Sequence, residues 1–214
     1  TMKPMKHLLT LVFGFFFILT CKGQELQTIK LNEPQKDRGF SVMQAFEKRH
    51  SERVWADKEL SLQDLSDLLW AANGINRPET GKRTAPSSMN KQDIDVYVCM
   101  ARGTYLYDAK AHELKPVTAI DVRAEVAADQ KEIAKAPVIL VMVTNYPRLS
   151  DSKNALISGA IDGGIVSENI SIFCAGVGLA TVPRTWMNKE NLRSYLKLQE
   201  GQELIINNPV GYKK

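Results

Sequence analysis

Hydrophobic positions recur with a helical period in the stretch that begins at Ser61. Ser61 is a candidate N-cap, Asp64 stands three residues on as a capping-box partner, and the apolar residues that follow share one face: Leu62, Leu65, Leu68 and Leu69. The pattern predicts a helix that ends at Asn73-Gly74, where glycine suits a left-handed C-terminal cap.

Other stretches have the pattern of strands. We predict strands at Asp95–Ala101 and Thr104–Asp108, and a last strand at Glu203–Val210. The run Val138–Val143 is apolar without interruption and rich in β-branched residues. A run of this kind indicates a central strand that is buried on both faces.

Four further segments are predicted to be helical. A short helix begins at Val42, a charged one covers about Ala119–Ala134, and a late one covers about Lys189–Leu196. The segment Ser152–Ala180 is apolar on most sides and contains glycines at intervals, which predicts a fully buried helix. This order of elements indicates an α+β fold, a mixed central sheet flanked by helices.

The start of the chain has the parts of an export signal. Lys3 and Lys6 precede the apolar run Leu8–Leu19, which is shorter than the roughly 20 residues of a membrane-spanning helix. We therefore predict an export signal over residues 1–23, a polar leader over 24–41 and one domain over 42–214. The expected location is the periplasm.

Two ways of processing this signal remain open. Ile18–Cys21 resembles a bacterial lipoprotein box, which would leave a lipid anchor on Cys21. Cleavage after Gly23 fits about as well and would release a free periplasmic protein.

The charges after the signal are nearly balanced. Three of the 28 basic residues, Lys3, Lys6 and Lys22, precede Glu25, the first of the 24 acidic residues. The remaining 25 basic and 24 acidic residues give no reason to expect a nucleic-acid partner.

Cysteines and histidines do not suggest a metal site. Cys99 and Cys174 lie in apolar segments; a disulfide is one reading, and buried free thiols are the favoured one. The histidines are scattered without the spacing of metal ligands, so no metal is predicted.

Motifs of protein-based catalysis are also missing from the sequence. It has no Gly-x-Ser-x-Gly elbow, no phosphate-binding Gly-x-x-x-x-Gly-Lys loop and no Gly-x-Gly-x-x-Gly. An organic cofactor is therefore the reasonable source of chemistry.

Three separate segments are candidates for binding such a cofactor. Arg49-His50-Ser51-Glu52-Arg53 could hold a phosphate through charge-assisted hydrogen bonds, although alone it reads as the basic end of a helix. The loop Pro86–Gln92 (Pro-Ser-Ser-Met-Asn-Lys-Gln) and Gly178–Pro183 (Gly-Leu-Ala-Thr-Val-Pro) read alone as a polar turn and a helix stop.

In this order and spacing the three segments resemble the nitroreductase-like family of FMN-dependent oxidoreductases. Leu68–Asn76 also resembles the second helix of the family, particularly in its azoline-dehydrogenase-like branch. The resemblance covers most of residues 42–212. It implies a nitroreductase-like fold and a homodimer that buries the long helix between its subunits.

The resemblance also implies roles for individual residues. Arg49, His50 and Ser51 would hold the FMN phosphate, and Arg53 would face the pyrimidine edge of the flavin, where negative charge accumulates on reduction. Gln130 is a weaker candidate for that edge.

Two further sets of residues would complete the flavin site. Near flavin N5 the family places backbone groups that correspond here to Val182, Pro183, Arg184 and Thr185. From the partner subunit the family brings in a loop that corresponds here to Pro86, Ser87, Ser88 and Asn90.

The end of the chain departs from the family pattern. Many relatives have a basic Lys-x-Arg segment there, and in this chain Lys213 or Lys214 is the substitute, or neither is. Arg184 and Trp186 stand where relatives vary and are expected to shape the substrate pocket.

The expected activity is transfer of hydride or electrons through FMN to or from a small, flat, electron-poor substrate such as a nitro compound or a quinone. In this prediction the flavin carries the chemistry, and no side chain is assigned a catalytic role. The electron donor is NAD(P)H or a membrane or periplasmic donor. The alternatives are dehydrogenation or dehalogenation of a small ring substrate, and a periplasmic flavin- or ligand-binding protein without turnover.

Overall fold

A sheet of seven strands forms the centre of the molecule. The computed structural model describes residues 25–149 and 154–214. The strands of these residues, which include those of a second, smaller sheet, are β1 (Ile29–Lys30), β2 (Ile75–Arg77), β3 (Lys82–Arg83), β4 (Ile94–Met100), β5 (Gly103–Asp108), β6 (Glu113–Thr118), β7 (Val138–Asn145), β8 (Leu179–Thr181) and β9 (Gln202–Tyr212). The large sheet has the order β1-β6-β5-β4-β7-β9-β8, and β2 and β3 form a separate hairpin.

Helices pack against the sheet and carry its connections. They are α1 (Val42–Lys48), α2 (Leu62–Asn73), α3 (Arg123–Ala127), α4 (Tyr146–Leu149), α5 (Ala155–Val177) and α6 (Lys189–Tyr195). Short 3₁₀ helices cover Ser88–Asn90 and Lys131–Lys135. The four predicted strands are confirmed as β4, β5, β7 and β9. The predicted helices that correspond to α1, α2 and α6 are also confirmed.

The α+β class is confirmed, but the sheet is antiparallel rather than mixed. Every pair of neighbouring strands in the described residues runs antiparallel. Strands β4, β5 and β6 follow one another through short turns, and such hairpin connections join antiparallel strands. Strand β6, which the sequence pattern did not predict, extends this meander.

The long helix α5 is buried on one face only. Towards the sheet, a Cβ on Gly159 would lie 2.5 Å from Thr144 Oγ1, so only glycine allows this approach. On the opposite face Leu156, Ile157 and Ile161 are 57–65% exposed in the single chain. The prediction of a fully buried helix was therefore wrong for one protomer, and the segment also ends in the strand β8 rather than continuing as helix.

The predicted charged helix over residues 119–134 was wrong in its extent. Only α3 and the 3₁₀ helix Lys131–Lys135 are helical. Ala128 lies between them with φ 53°, in the left-handed region, which breaks the helical path.

The N-cap of α2 is confirmed, whereas its other predicted end features differ. Ser61 Oγ accepts a hydrogen bond from the Asp64 amide at 3.0 Å, but the Ser61 amide donates to the Tyr212 hydroxyl instead of closing a capping box. Gly74 is extended, with φ −76°, and is required because a Cβ would lie 2.6 Å from Trp70 Cδ1.

Residues ahead of α1 contact the domain. Strand β1 pairs with β6, and Arg38 forms ion pairs at 2.7 Å with Asp64 and Asp67 of α2. These contacts place the predicted polar leader, as far as it is described, against the folded domain. The predicted export signal over residues 1–23 lies outside the described residues.

Candidate functional site

The first predicted binding segment, Arg49–Arg53, lies beside β8, which is part of the third predicted segment, Gly178–Pro183. The Glu52 amide donates to the Thr181 carbonyl at 2.9 Å, and the Trp55 indole N–H donates to the Ala180 carbonyl at 3.2 Å. Trp55 is buried in the core on this side of the sheet. The segments Arg49–Arg53 and Gly178–Pro183, separated by more than 120 residues in sequence, are thus neighbours.

The end of the chain joins the same place. The Ala56 amide donates to the Tyr212 carbonyl at 2.9 Å, and Trp55 forms a β-bridge with Lys213. A small cleft opens between these strands and the C-terminal half of α5, with a polar lining that includes Lys48, His50, Glu52, Ser171, Thr181 and Lys213. The structure therefore brings His50 and Lys213 together, while Lys214 is not part of this lining.

The cleft carries an excess of positive charge. The His50 ring nitrogens contact the Lys48 carbonyl at 2.8 Å and Glu52 Oε2 at 2.9 Å, so the acid is already engaged. No ion pair or side-chain hydrogen bond engages Lys213 within residues 25–149 and 154–214. Burial raises the pKa of the Cys174 thiol, and the nearby Lys213 charge opposes that rise. The donor set suits an oxyanion such as a phosphate.

Arg49 and Arg53 belong to the segment that lines the cleft, but their own side chains are not part of the lining. Arg49 is half-buried and forms the C-cap of α1, where its amide donates to the Ala45 and Phe46 carbonyls. Ser51 and Arg53 are exposed. In the part of the chain that the structure describes, neither guanidinium has an ion pair or a hydrogen bond to protein, so both can contact a ligand.

A second cluster surrounds Arg184. Its Nε donates to Gln130 Oε1 at 3.1 Å, and Nη1 donates to Asn207 Oδ1 at 3.0 Å. Burial lowers the pKa of Arg184, and the charge of Arg53 lowers it further. The structure therefore places both Arg53 and Gln130, two predicted neighbours of the flavin edge, near one buried guanidinium.

Arg184 itself corrects two expectations. Its side chain is 8% exposed and points into the protein, so it supports the site rather than shaping a substrate pocket. Its amide donates to the Asn207 carbonyl at 2.8 Å and is not available to a cofactor. Val182 is buried, Pro183 is half-buried and Thr185 is exposed, which leaves Thr185 as the accessible end of this segment.

Trp186 is the exposed aromatic residue of this cluster. Its ring is 61% exposed, and its indole N–H donates to Asp129 Oδ1 at 2.7 Å. The hydrogen bond fixes one edge of the ring and leaves its faces open to a flat ligand.

The second predicted binding segment, Pro86–Gln92, lies away from the cleft of its own protomer. The Ser88 amide donates at 2.8 Å to Oδ2 of Asp162, which is buried in the first half of α5. Ser171, which lines the cleft, is nine residues further along this helix, or about 14 Å at the α-helical rise. Within one protomer the Pro86–Asn90 loop therefore does not join the other segments.

Some residues of the site were not predicted from the sequence. Lys48 lines the cleft, and its only signal was its place next to Arg49 in a basic stretch. Asn207, which holds both the backbone and the guanidinium of Arg184, lies in the last strand and had no local signal.

Known proteins share this sequence pattern and this fold. The model of the Nitroreductase family matches residues 46–212. A Methanocaldococcus jannaschii protein described as a putative nitroreductase is 29% identical over 177 residues, which are 78% of this chain and 88% of that protein.

Solved structures lead to the same family. The crystal structure of a putative nitroreductase from Ralstonia eutropha JMP134 is similar with a TM-score of 0.82 and 33% identity, over 99% of this chain and 98% of that one. A putative NADH oxidase from Clostridium acetobutylicum is similar in fold, with a TM-score of 0.58 and 18% identity over 81% of this chain and 88% of that one. From the match over residues 46–212, which is most of its length, the chain belongs to the nitroreductase family of oxidoreductases.

Proposed function

We propose that this protein is an FMN-dependent oxidoreductase that works as a homodimer on small, flat, electron-poor substrates. One observation carries the proposal: Arg49–Arg53, the β8 segment and Lys213 meet at one positively charged cleft. Family membership gives this cleft its expected ligand, because nitroreductase-family proteins generally use a flavin.

The cleft and its rim would bind the phosphate end of FMN. Lys48, His50 and Lys213 are grouped there, and Arg49, whose guanidinium has no partner among the described residues, stands between Lys48 and His50 in the sequence. Hydrogen bonds from cations to a phosphate are among the stronger ones in proteins. Ser51 adds a hydroxyl donor on the exposed side of the same segment.

The cluster around Arg184 would bind the ring end. Gln130 has its carboxamide oxygen engaged by Arg184, so its NH₂ group is the part that can donate to a ligand. Arg53 brings a second positive charge to this place. Positive charge at the pyrimidine edge would favour the reduced flavin.

The outer face of α5 supports the proposal of a homodimer. Leu156, Ile157 and Ile161 are exposed near the start of the helix, and four apolar residues at and beside α1 are exposed near its end: Phe40, Val42, Met43 and Phe46. Exposed apolar residues at both ends of one surface suit a two-fold contact in which each end meets the other end of a second copy.

A pairing of this kind would also complete the cofactor site. If two α5 helices cross antiparallel about a two-fold axis, the first half of one lies beside the second half of the other. The Pro86–Asn90 loop, held by Asp162, would then approach the partner's cleft at Ser171. The loop and the cleft of one protomer are about 14 Å apart along α5, but in such a dimer the loop of one protomer would lie near the cleft of its partner.

Bound FMN would supply hydride and electron exchange at N5, the chemistry that this chain's own residues lack. The exposed faces of Trp186 lie beside the proposed ring site and suit stacking with a flat substrate. Nitro compounds and quinones are the substrate class that we propose.

We also propose that NAD(P)H is not the donor in the cell. The basic and apolar pattern of Lys3–Gln24 predicts export, and nicotinamide donors are scarce outside the inner membrane. A membrane quinol or a periplasmic redox partner would then supply the electrons. Cell fractionation of the full-length protein tests the location; recovery in the cytoplasm would contradict this part of the proposal.

Anaerobic stopped-flow mixing of the flavin-loaded protein tests the activity. Reduction by NADH, NADPH or a quinol, followed by reoxidation with a nitroaromatic compound or a quinone, is the expected result. Fast reduction by NAD(P)H alone would reverse our choice of donor. Reoxidation only by a substrate that loses halide would favour dehalogenation, and reduction of the flavin only by a ring substrate would favour dehydrogenation. Absence of any redox turnover would indicate a binding protein.

A further inference from the structure

Two interacting carboxyl groups lie in the interior of the protein, where α5 passes over the start of β4 and the end of β7. Asp93 directly precedes β4 and is 0% exposed, and Asp162 in α5 is 3% exposed. Thr144 Oγ1 donates to Asp93 Oδ2 at 2.7 Å, and the Ser88 amide donates to Asp162 Oδ2 at 2.8 Å. Each carboxyl thus has one oxygen already satisfied by protein.

The remaining oxygen of Asp93 requires a hydrogen. Asp93 Oδ1 is buried and has no hydrogen-bond donor among the described residues. Burial raises the pKa of Asp93 to about 6; the Thr144 hydrogen bond opposes this rise, and the adjoining Asp162 carboxyl adds to it. A buried oxygen without a donor beside a second carboxyl is the arrangement in which two acids share one proton.

The cations around this pair are engaged with other groups. Arg83 donates to Gln92 Oε1 and the Asn73 carbonyl, and Arg148 of α4 forms a bidentate pair with Asp95. No ion pair reaches Asp93 or Asp162 within the described residues.

A titratable phenol also lies near Asp93. Tyr146 of α4 has its pKa raised by burial and by the charges of Glu203 in β9 and Asp93. With no cation free to compensate, a proton is the group that can neutralise the pair.

The pair is attached to a loop that needs support. Met89, Asn90 and Gln92 have φ values of 48°, 54° and 50°, in the left-handed region that non-glycine residues seldom adopt. Backbone of this kind persists only where surrounding contacts hold it. Within the loop the Ser87 hydroxyl accepts from the Gln92 amide, and the hydrogen bond from Ser88 to Asp162 connects the loop to α5.

We propose that Asp93 holds a proton through which it hydrogen-bonds to Asp162, and that the two residues act together as positioning residues for the Pro86–Asn90 loop. Loss of the proton to solvent leaves two adjoining buried carboxylates, whose repulsion moves Asp162 and releases the Ser88 amide. The inference rests on the proposed function in one respect, that this loop contacts FMN. FMN binding then takes up as much as one proton, and affinity falls as the pH rises.

The variant Asp93→Asn tests this directly. The asparagine oxygen still accepts from Thr144, and its NH₂ donates to Asp162 at every pH, so it imitates the protonated pair. As the pH rises from 5.5 to 8, we expect the FMN dissociation constant of the wild type, divided by that of Asp93→Asn, to rise by about tenfold, which is below the limit of about tenfold in each pH unit for uptake of one proton. The second ionisation of the FMN phosphate, near pH 6, cancels in this ratio.

Two further variants distinguish the effect of the Asp93–Asp162 pair from the effect of losing one acidic charge elsewhere. Asp162→Asn keeps an acceptor for Ser88 and gains a donor to Asp93, so it should flatten the profile in the same way and replaces Asp93→Asn if that variant does not fold. Asp57→Asn removes one exposed acid and should retain the wild-type profile. Parallel profiles for the wild type and both pair variants would overturn the proposal.

A second readout does not depend on flavin. Hydrogen exchange of the peptide spanning Pro86–Gln92, measured without FMN, should become faster in the wild type than in Asp93→Asn as the pH rises. The two proteins have the same intrinsic exchange chemistry in this peptide, so their ratio reports loop opening. If no variant binds FMN, the proposed function fails, while this ratio still decides whether the pair holds the loop; a constant ratio would show that it does not.

Discussion

Arg184 and Asn207 hold each other through both backbone and side chain. The Arg184 amide donates to the Asn207 carbonyl at 2.8 Å, the Asn207 amide donates to the Arg184 carbonyl at 2.7 Å, and Arg184 Nη1 reaches Asn207 Oδ1 at 3.0 Å. This bridge fixes the segment after β8 against β9, so the position of Thr185 and Trp186 depends on it.

Arg184→Ala should therefore destabilise the whole fold. The truncation leaves Asn207 Oδ1 and the Val126 carbonyl without their donor, leaves the Ala127 carbonyl with the Gln130 amide alone, and removes a buried side chain. We expect a loss of about 3 kcal/mol in the free energy of unfolding, as for other broken buried polar networks.

Urea denaturation provides the measurement, and Arg102→Ala is the matched control. Arg102 is exposed and has a contact over the Tyr105 ring, so its loss should cost less than about 1 kcal/mol. Equal midpoints for the two variants would show that the Arg184 network contributes little.

Lys213 and Lys214 should differ in their effect on FMN binding. Lys213 lines the cleft with Lys48 and His50, whereas Lys214 does not. Lys213→Ala should weaken FMN binding by about 1.5–3 kcal/mol, the range for a hydrogen bond to a charged group. Lys214→Ala should change it by less than about 0.5 kcal/mol. Fluorescence titration with FMN measures both; a larger loss for Lys214→Ala would move the phosphate away from this cleft.

Arg49 and Arg53 should affect different properties of the bound flavin. Arg49→Ala removes a cation next to the proposed phosphate cleft and should cost about 1.5–3 kcal/mol of FMN affinity. Arg53→Ala should mainly lower the reduction potential, because the positive charge near Arg184 and Gln130 is reduced. Affinity comes from titration and the potential from equilibrium with a reference dye. Equal affinity losses with an unchanged potential would contradict these roles.

Gly164 should matter for dimerisation rather than for folding of one chain. A Cβ at this position meets no atom within 4 Å, so its own protomer does not require glycine there. Its helical spacing puts it on the same face of α5 as Ile157 and Ile161, which are exposed. Gly164→Leu should monomerise the protein if two α5 helices approach closely at this stripe.

Sedimentation of Gly164→Leu distinguishes a dimer contact at this stripe from a stripe that faces water. If the stripe faced water, the substitution would instead stabilise the chain by up to about 1 kcal/mol through its higher helix propensity. Gly159→Leu is the contrasting variant, because the contact with Thr144 should make it disrupt the fold itself. A stable Gly164→Leu dimer would refute the proposed contact.

The two cysteines of the domain should be unreactive in the native protein. Both are buried and free, as predicted, and burial raises the pKa of Cys99 to about 12 and raises that of Cys174 as well. The reactive thiolate is therefore scarce below pH 9. Alkylation read peptide by peptide should be absent from both sites between pH 7 and 9 and complete after denaturation. Native labelling that increases with pH at either cysteine would show that the thiol is accessible.

Elements with a strong local pattern were predictable from the sequence. The cap at Ser61 and the apolar run Val138–Val143 each depend on neighbouring residues, and both became the expected helix and strand. Glu113–Thr118 was not predicted as a strand because its polar residues and Pro116 give no clear alternation. The helix over residues 119–134 failed at Ala128, whose positive φ has no signal in an alanine.

The site was predictable only as separate segments. Their order indicated the family, and the meeting of Arg49–Arg53 with Lys213 agrees with it. The direction of the Arg184 side chain depends on Asn207, and the contact between Asp93 and Asp162 depends on where α5 crosses β7. Such contacts join residues far apart in the chain and become visible only once the fold brings them together.

The visible absorbance spectrum of the purified protein, incubated with FMN and then desalted, tests the central claim most directly. We expect a flavin band at about one FMN per chain, released as free FMN on denaturation, and a marked loss of bound flavin in a double variant of Arg49→Ala and Lys213→Ala. Lys214→Ala should retain the band. A folded wild-type protein that remains colourless after this treatment would contradict the account.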